Sequence, residues 1–477
     1  MASKSHFLVP LLLIFTIFSH QTLAKCHVDD ETGLLAFKSG ITQDPTGILS
    51  SWKPGTDCCT WSGVECRENN RVTSLSVYGK ENDPKSYLSG TISPSLSKVQ
   101  NLDGIYFQFL KNITGSFPTF VFLLPKLQYV YIQNSKLSGP IPVNIGQKLS
   151  KLGALGLSDN RFSGSIPASV SQLTELTQLV LGGNALTGPI PDGIRNLKNL
   201  TYLNLEKNQL SGKIPDFFGS FSDLRTLSLS YNKLSGEIPA SISALASKLR
   251  YLELGNNALT GKIPNYIGTF KELDTLDLSS NQLTGLVPST LKNLTKIFNL
   301  NLARNQLLDP FPQLNVRGIE SLDLSYNKFK LGILPKWVQT SPIIYSLKLA
   351  GCGLKFRLED FKPSETYYYD FIDLSDNQIS GSPVSLLNQT TLLKEFRASN
   401  NLLRFNMSDL VIPSTLKYLD LSRNQVFGKI PKNISGLQTA DLSQNHLCGQ
   451  IPPTKLPASA FQGNDCLCGT PLPACKK

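Results

Sequence analysis

The amino-acid sequence predicts an α/β repeat solenoid: one superhelical array of short parallel strands, closed at each end by a disulfide-stapled cap. Three observations support this prediction. One phrase recurs about every 24 residues, eight of the nine cysteines flank the recurrence, and a hydrophobic content of 40% is too high for a disordered chain. A length of 477 residues alone would suggest two to four domains, but repetition replaces that expectation with one continuous array.

The recurring phrase is clearest between Leu200 and Pro215, which reads L-x-x-L-x-L-x-x-N-x-L-x-G-x-I-P. From 135 to 445, 13 intervals cover 310 residues, and Ser135 and Cys352 replace the asparagine in two copies. Two looser copies, around 72–77 and 102–107, bring the total to about 16. Such a phrase defines a leucine-rich repeat. Its asparagine stands at positions 160, 184, 208, 232, 257, 281, 305, 327, 377, 401, 424 and 445.

The spacing also predicts how one repeat folds. The L-x-L segment forms a strand whose leucines point inward, and neighbouring strands stack into a parallel sheet on the concave side of a right-handed superhelix. The asparagine turns inward after the strand, where its amide can both donate and accept hydrogen bonds. The G-x-I-P segment then returns the chain along the outer side.

The first 24 residues are typical of a secretory signal peptide. Lys4 supplies the positive start, Phe7 to Phe18 the apolar core, and Ala24 the small residue at the cleavage site. That core is too short to span a bilayer, and no later segment reaches 18 uninterrupted apolar residues. We therefore expect a secreted protein without a membrane or lipid anchor.

Most cysteines lie near the two ends of the chain, and only Cys352 stands between them. We expect two disulfides in each of two caps, residues 25–71 and 446–477, around a solenoid of residues 72–445. The pairing is left open. We interpret Cys352 as a buried unpaired thiol, with a redox role as the alternative. The cap cysteines are Cys26, Cys58, Cys59, Cys66, Cys448, Cys466, Cys468 and Cys475.

Six N-x-S/T sequons are candidates for N-linked glycans in a secreted protein. They lie at Asn112, Asn199, Asn293, Asn388, Asn406 and Asn433.

The repeat and both caps resemble those of plant extracellular leucine-rich-repeat proteins. The segments Asp30–Lys38 and Asp57–Cys66 resemble the N-terminal cap of that class. The segments Asn445–Pro452 and Asn464–Cys475 resemble the C-terminal cap of plant polygalacturonase-inhibiting proteins. Those inhibitors have fewer repeats than this chain. Plant receptor ectodomains share the repeat and cap, but normally continue into a membrane helix.

Binding residues are expected on the concave sheet, because its inward leucines are fixed by packing while its outward residues can vary. Exposed tyrosines on a rigid sheet are typical of protein or carbohydrate contacts, although adjacent tyrosines can also simply shield one another. An acidic column could meet a basic partner, or could be common filler of this repeat. The candidates are Tyr106, Tyr129, Tyr131, Gln133, Val180, Tyr202, Tyr251, Glu253 and Asp277.

The array is irregular between about residues 306 and 371. Leu308 to Pro312 replaces the G-x-I-P turn, and Glu359 to Tyr369 departs from the phrase again. The irregularity predicts either a bend in the superhelix or a recognition loop, and we favour the bend.

The sequence offers no support for catalysis or for a cofactor. It has four histidines, two of them within the predicted signal peptide, and no nucleophile elbow or phosphate loop, so we expect neither an enzyme nor a metal site. The net charge of +11 comes without a long basic run, which disfavours nucleic acid and is compatible with retention by pectin.

These observations lead to one principal hypothesis and two alternatives. The principal hypothesis is a secreted protein of the plant cell wall, or apoplast, that binds and inhibits a microbial wall-degrading enzyme such as polygalacturonase in defence. The first alternative is a soluble receptor-like protein that captures a peptide or glycan and docks on a membrane receptor kinase. The second is passive attachment to pectin.

Overall fold

In the computed structural model, residues 25–67, 69–316 and 318–475 are described, and their strands form two main sheets along the array. The larger sheet is parallel throughout except for its first, antiparallel pair, and it is open, because its first and last strands each have one neighbour. Its strands, in order, are Val64–Arg67, Arg71–Tyr78, Gly104–Gln108, Tyr129–Gln133, Ala154–Gly156, Gln178–Val180, Tyr202–Asn204, Thr226–Ser228, Tyr251–Glu253, Thr275–Asp277, Asn299–Asn301, Ser321–Asp323, Ser346–Lys348, Phe371–Asp373, Glu395–Arg397, Tyr418–Asp420 and Thr439–Asp441. We call this sheet the concave sheet.

A second sheet follows the asparagine turns of most repeats, a feature that the sequence did not lead us to expect. It contains Ile41–Gln43, Ser89–Thr91, Asn112–Gly115, Lys136–Pro140, Arg161–Ser165, Ala185–Gly188, Gln209–Lys213, Lys233–Gly236 and Ala258–Leu259. Shorter pieces continue it: Thr284–Leu286 with Gln306–Leu308, Ser380–Gly381 with Leu402–Leu403, and Phe427–Gly428 with His446–Gln450 and Cys466–Cys468. The glycine of the phrase allows a left-handed backbone conformation within these strands, as Gly212 of Gln209–Lys213 shows with φ of +81°.

Short helices occupy the outer side, mostly as single 3₁₀ turns. The α-helices are Val28–Ser39, Ile145–Lys148, Lys336–Gln339 and Val384–Gln389. The 3₁₀ helices are Cys58–Thr60, Pro94–Lys98, Thr119–Leu123, Ala168–Gln172, Asp192–Asn196, Phe218–Ser220, Ala240–Leu245, Asn265–Thr269, Ser289–Asn293, Leu358–Asp360, Met407–Asp409, Lys432–Gly436 and Ala458–Phe461.

The apolar positions of the phrase build the core as their spacing predicts. Leu203, Leu205, Leu210 and Ile214 are all at most 3% exposed, and the equivalent residues of neighbouring repeats stack on them. One repeat cannot cover its apolar side alone, so the core is a continuous column along the array.

The predicted role of the asparagines is confirmed: they form a series of buried hydrogen bonds along the array, which we call the asparagine ladder. The Asn208 amide donates to the carbonyls of Leu181, Leu205 and Glu206, and its Oδ1 accepts from the backbone N–H of Leu186 at 3.0 Å. Each such asparagine therefore joins its own turn to the preceding repeat. Asn464 makes the same contacts, with its amide 3.0 Å from the Leu442 carbonyl, so the ladder continues past Asn445.

Disulfides close both ends of the array. The pairs left open by the sequence are Cys26–Cys58, Cys59–Cys66, Cys448–Cys466 and Cys468–Cys475. In the N-terminal cap, Trp52 is fully buried and stacks on Trp61 with ring centroids 5.6 Å apart. Arg71 donates two 2.8 Å hydrogen bonds to buried Asp30, which ties the cap helix to the second strand of the concave sheet.

The second sheet is interrupted within the segment where the repeated phrase is irregular, and the choice between a bend and a recognition loop stays a prediction. In this sheet, the strand Gln306–Leu308 is followed by a segment without sheet pairing until the bridge between Gly332 and Leu354. The concave sheet nevertheless continues, because Ser321–Asp323 pairs with both neighbouring strands in register.

The predicted signal peptide, residues 1–24, lies outside the described residues. Among the residues that the structure describes, no helix combines the length and the apolar character needed to cross a membrane.

Candidate functional site

The candidate binding residues all point outward from the concave sheet. In the strand Tyr129–Gln133, for example, Val130 and Ile132 are buried while Tyr129 is 39% exposed. The outward side chains form columns along the array, because parallel strands pair in register and place equivalent residues side by side.

Two tyrosines at the N-terminal end of the sheet stack on each other. The rings of Tyr106 and Tyr131 lie 5.6 Å apart with an interplanar angle of 13°. The Tyr131 ring lies over Gly156, where an added Cβ would stand 2.3 Å from the ring, so only glycine permits this placement. The Tyr131 hydroxyl donates to Oε1 of Gln178 at 2.8 Å, two strands away. The pair is therefore held rigidly.

A row of polar side chains runs beside the tyrosines. The Gln108 amide donates to Gln133 at 3.1 Å, and Gln133 donates to the Ser158 hydroxyl at 2.7 Å. Each glutamine is half-buried and keeps further donor or acceptor capacity. The row presents oriented amide groups next to an apolar ring surface.

An open hollow of about 540 Å³ lies at the edge of the stacked pair. Tyr106 and Tyr129 form its aromatic side, while Glu65, Arg67 and Asp103 supply charge. Burial is the main reason why the Tyr106 pKa is raised and why the Tyr131 pKa rises to about 12. Both phenols are therefore neutral hydrogen-bonding groups at physiological pH.

The other candidates form a second group further along the sheet. Tyr202 and Tyr251 lie on either side of Thr226, in register with it, while Glu253 and Asp277 occupy adjacent strands. Burial, with added repulsion from Glu206 and Asp277, raises the pKa of Glu253. Val180 pairs with Asn204 between the two groups.

Several outward residues that sequence analysis passed over belong to these groups. Each of them occupies the same column as a candidate residue or lies two residues from a candidate along the chain. The repeated phrase alone would have been enough to identify them. They are Gln108, Ser158, Gln178, Glu206 and Ser230.

Cys352 is a buried free thiol, as predicted. Its Sγ lies 3.4 Å from the Leu324 carbonyl, where an asparagine amide would donate. Burial raises the thiol pKa far above its usual value, which leaves little of the nucleophilic thiolate.

The six sequons lie away from the concave strands. Asn199 is exposed on the segment preceding a strand, and Asn406 caps a 3₁₀ turn by accepting from the Ser408 N–H at 3.1 Å. Asn112 lies in a strand of the second sheet. The remaining sequons are in outer helices, at Asn293, Asn388 and Asn433.

Comparison with protein families agrees with this architecture. Residues 27–67 match the leucine rich repeat N-terminal domain, and residues 150–210 and 247–307 match leucine rich repeat models. Three further segments, residues 223–245, 318–341 and 415–437, match single repeats. The chain is a leucine-rich-repeat protein.

Several similar leucine-rich-repeat proteins come from plants. Polygalacturonase inhibitor 2 of Arabidopsis thaliana is 36% identical over 124 residues, 25% of this chain and 35% of the inhibitor. Receptor-like protein EIX2 of Solanum lycopersicum is 32% identical over 151 residues, 29% of this chain and 14% of that protein. The curated relatives that we compared are matched over only 10% to 37% of their own lengths.

Among solved structures, the leucine-rich-repeat ectodomain of the Arabidopsis receptor kinase HAESA, in complex with the peptide hormone ligand IDA, has a TM-score of 0.61 with this chain at 25% identity. The superposition covers 94% of this chain and 99% of the ectodomain.

Proposed function

We propose that this leucine-rich-repeat protein binds an extracellular protein through the N-terminal part of its concave sheet, and that the partner is a wall-degrading enzyme which it inhibits. The observation that carries the proposal is the rigid tyrosine stack beside a row of oriented amides. Aromatic rings offer large contact areas at low entropic cost, and the amides add direction.

The placement of the sequons supports the same face. All six lie outside the concave strands, so glycans attached there would leave that sheet accessible. Inhibition would need no catalytic residue in this chain, because binding to the concave sheet would cover the active-site cleft of the enzyme.

Similarity to polygalacturonase inhibitors favours an enzyme as partner. The test is to measure the activity of a panel of fungal polygalacturonases with increasing amounts of the purified protein. We expect at least one enzyme to lose activity in a saturable manner. No loss of activity across a broad panel would overturn this assignment.

Two tyrosines offer a matched pair for locating the site. Tyr129 and Tyr418 each begin a concave strand and are 39% and 40% exposed, but they lie at opposite ends of the array. We expect Tyr129→Ala to weaken binding about tenfold, as loss of an aromatic contact does, and Tyr418→Ala to leave it within twofold. Equal effects would place the site elsewhere.

A second candidate function is the capture of an extracellular peptide, followed by docking on a receptor kinase. The observation that favours it is the likeness to a peptide-bound receptor ectodomain over nearly its whole length. The test is to pass plant extracellular fluid over the immobilised wild type, Tyr418→Ala and Tyr129→Ala proteins. Small peptides that the first two retain and Tyr129→Ala does not would support peptide capture over enzyme inhibition.

Passive attachment to pectin would rest on net charge and needs no defined site. The net charge of +11 would hold the protein to polygalacturonate by ionic attraction. We expect elution from immobilised pectin to follow ionic strength, since salt screens such attraction. Binding that is indifferent to salt would exclude this mode of retention.

A further inference from the structure

The concave sheet carries a second polar feature, a slot one strand wide over Thr226–Ser228. Thr226, Ser228 and Ser230 form its floor and are only 8%, 1% and 4% exposed, although they point outward from the sheet. The flanking strands supply its walls: Tyr202 and Tyr251 stand beside Thr226 in register. We call this feature the serine slot.

Carboxylates from both walls converge on the floor of the serine slot. The Ser228 hydroxyl donates to Oε2 of Glu206 at 3.1 Å, and Glu253 stands beside Ser228 in register on the opposite wall. One hydroxyl has one proton, so it can satisfy only one of the two acids. The slot therefore presents unmet acceptor capacity.

A third acid closes the slot on the side of the following repeats. The Asp277 carboxylate lies over Gly255, where an added Cβ would stand 2.7 Å from Oδ1. By continuation of the strand register, Gly255 adjoins Ser230. Lys207 offers partial compensation, with Nζ 3.7 Å from the Glu206 carboxylate, but its side chain is 60% exposed.

Ser230 is a second, independent observation at the serine slot. The residue is only 4% exposed, and its buried Oγ has no hydrogen-bond partner among the described residues. A buried hydroxyl left unpaired costs roughly 1 to 3 kcal/mol. A ligand that donates to both the hydroxyl and the acids would remove this cost.

We propose that the serine slot receives an arginine or lysine side chain of the protein partner. The cationic group would donate to Glu206, Glu253 and Ser230, while its methylene stem would lie between Tyr202 and Tyr251. The guanidinium carbon of Arg250 lies 5.6 Å from the centroid of the Tyr251 ring, so a cation–aromatic contact already exists at this wall. The proposal deepens the proposed function, since it names a feature of the partner.

The spacing of the acids favours an organic cation over a metal ion. Among the described residues, the one group of three potential metal-ligand side chains within 4.8 Å is Cys26, Cys58 and Cys59. These cysteines form disulfides, and the acids of the serine slot are more widely spread. A guanidinium is several ångströms wide and can reach acids on both walls.

The test uses N-acetyl-arginine amide as probe, with the uncharged citrulline analogue and Ca²⁺ alone as separate arms. Binding is followed by calorimetry or ligand-observed NMR with the purified full-length protein. We expect the arginine probe to bind at least tenfold more tightly than the citrulline analogue. Glu253→Gln should weaken arginine binding about tenfold, whereas Glu175→Gln, which changes an exposed acid outside the slot, should not.

Each alternative outcome overturns the proposal. Equal binding of arginine and citrulline would remove the charge argument, and Ca²⁺ binding that is lost in Glu253→Gln would assign the slot to a metal. Retention of arginine binding in a folded Glu206→Gln/Glu253→Gln variant would place the probe elsewhere. Because the probe needs no partner protein, a failure here is distinguishable from a failure to inhibit polygalacturonase.

Discussion

At the scale of single residues, the repeat is held together by buried amides as much as by leucines. Asn208 donates to three carbonyls and accepts from one N–H at a buried position, and it does so across two repeats. A buried polar residue is stabilising only because every one of these groups is paired. The asparagine is thus a structural requirement of the turn.

Replacing Asn208 with alanine should therefore destabilise the array strongly. The N–H of Leu186 would be left buried and unpaired, and the carbonyl of Leu181 would keep only its hydrogen bond from Asn184, which predicts a loss of roughly 1 to 3 kcal/mol. Urea unfolding followed by circular dichroism measures the loss. The exposed Asn196→Ala variant is the control, and equal midpoints for the two variants would contradict this account.

Glu253 makes stability depend on pH in a defined direction. Burial first, and then Glu206 and Asp277, raise its pKa above the ordinary value of 4.5. A raised folded-state pKa gives stability that is fully present below the unfolded value and is lost as pH rises through the folded one. The wild type should thus lose stability relative to Glu253→Gln between pH 4 and pH 7. Thermal midpoints at both pH values measure this, and a constant difference would disprove it.

At the scale of elements, one segment between the outer helices and the concave sheet differs from all regular repeats. Two residues separate Leu173 from Leu176, whereas seven separate Phe361 from Tyr369, although all four residues are buried. The five extra residues belong to the segment 362–368, in which Tyr367 is 53% exposed. Its rings pack at the surface: Tyr368 lies 5.2 Å from Tyr367 and 5.6 Å from Tyr345, which is itself 40% exposed.

This segment should be the first site of proteolysis, because cleavage concentrates where the backbone is exposed and little of it is bonded. We expect limited chymotrypsin treatment of the native protein to cut after Tyr367 or Tyr368 and to leave two fragments associated through the continuing concave sheet. Mass spectrometry of the first products locates the cut. Initial cleavage after Tyr231, which is equally exposed at 53%, would refute the expectation.

The sequence predicts an element well when local apolar alternation defines it, and poorly when contacts with neighbouring repeats define it. The concave strands were predictable because Leu203 and Leu205 alternate with outward residues. The strand Gln209–Lys213 was missed because it holds one apolar residue and takes its stability from neighbouring repeats. The position of the Tyr131 ring depends on Gly156 in the next strand, a contact that no local pattern encodes.

At the scale of the whole molecule, the array is a chain of nearest-neighbour contacts, and its stability depends on its weakest junction. In regular repeats the concave strands, the asparagine ladder and the second sheet all join neighbours. Between Leu308 and Gly332 the second sheet is interrupted, while the concave strands stay paired. Just beyond, Cys352 replaces an asparagine and offers a thiol in place of an amide.

This junction should divide the array into two cooperative units. We expect hydrogen exchange near this junction to be fastest at residues 309–316 and 324–331, on either side of the paired strand Ser321–Asp323, and urea unfolding to show two steps, because fewer bonds couple the two sides. Cys352→Asn should slow exchange there and bring the two steps together, since an amide can reach the Leu324 carbonyl that the thiol contacts now. Cys352→Ser, which adds no amide, is the matched control. Uniform protection across the junction, or one unfolding step in the wild type, would show that the concave sheet alone couples the two halves.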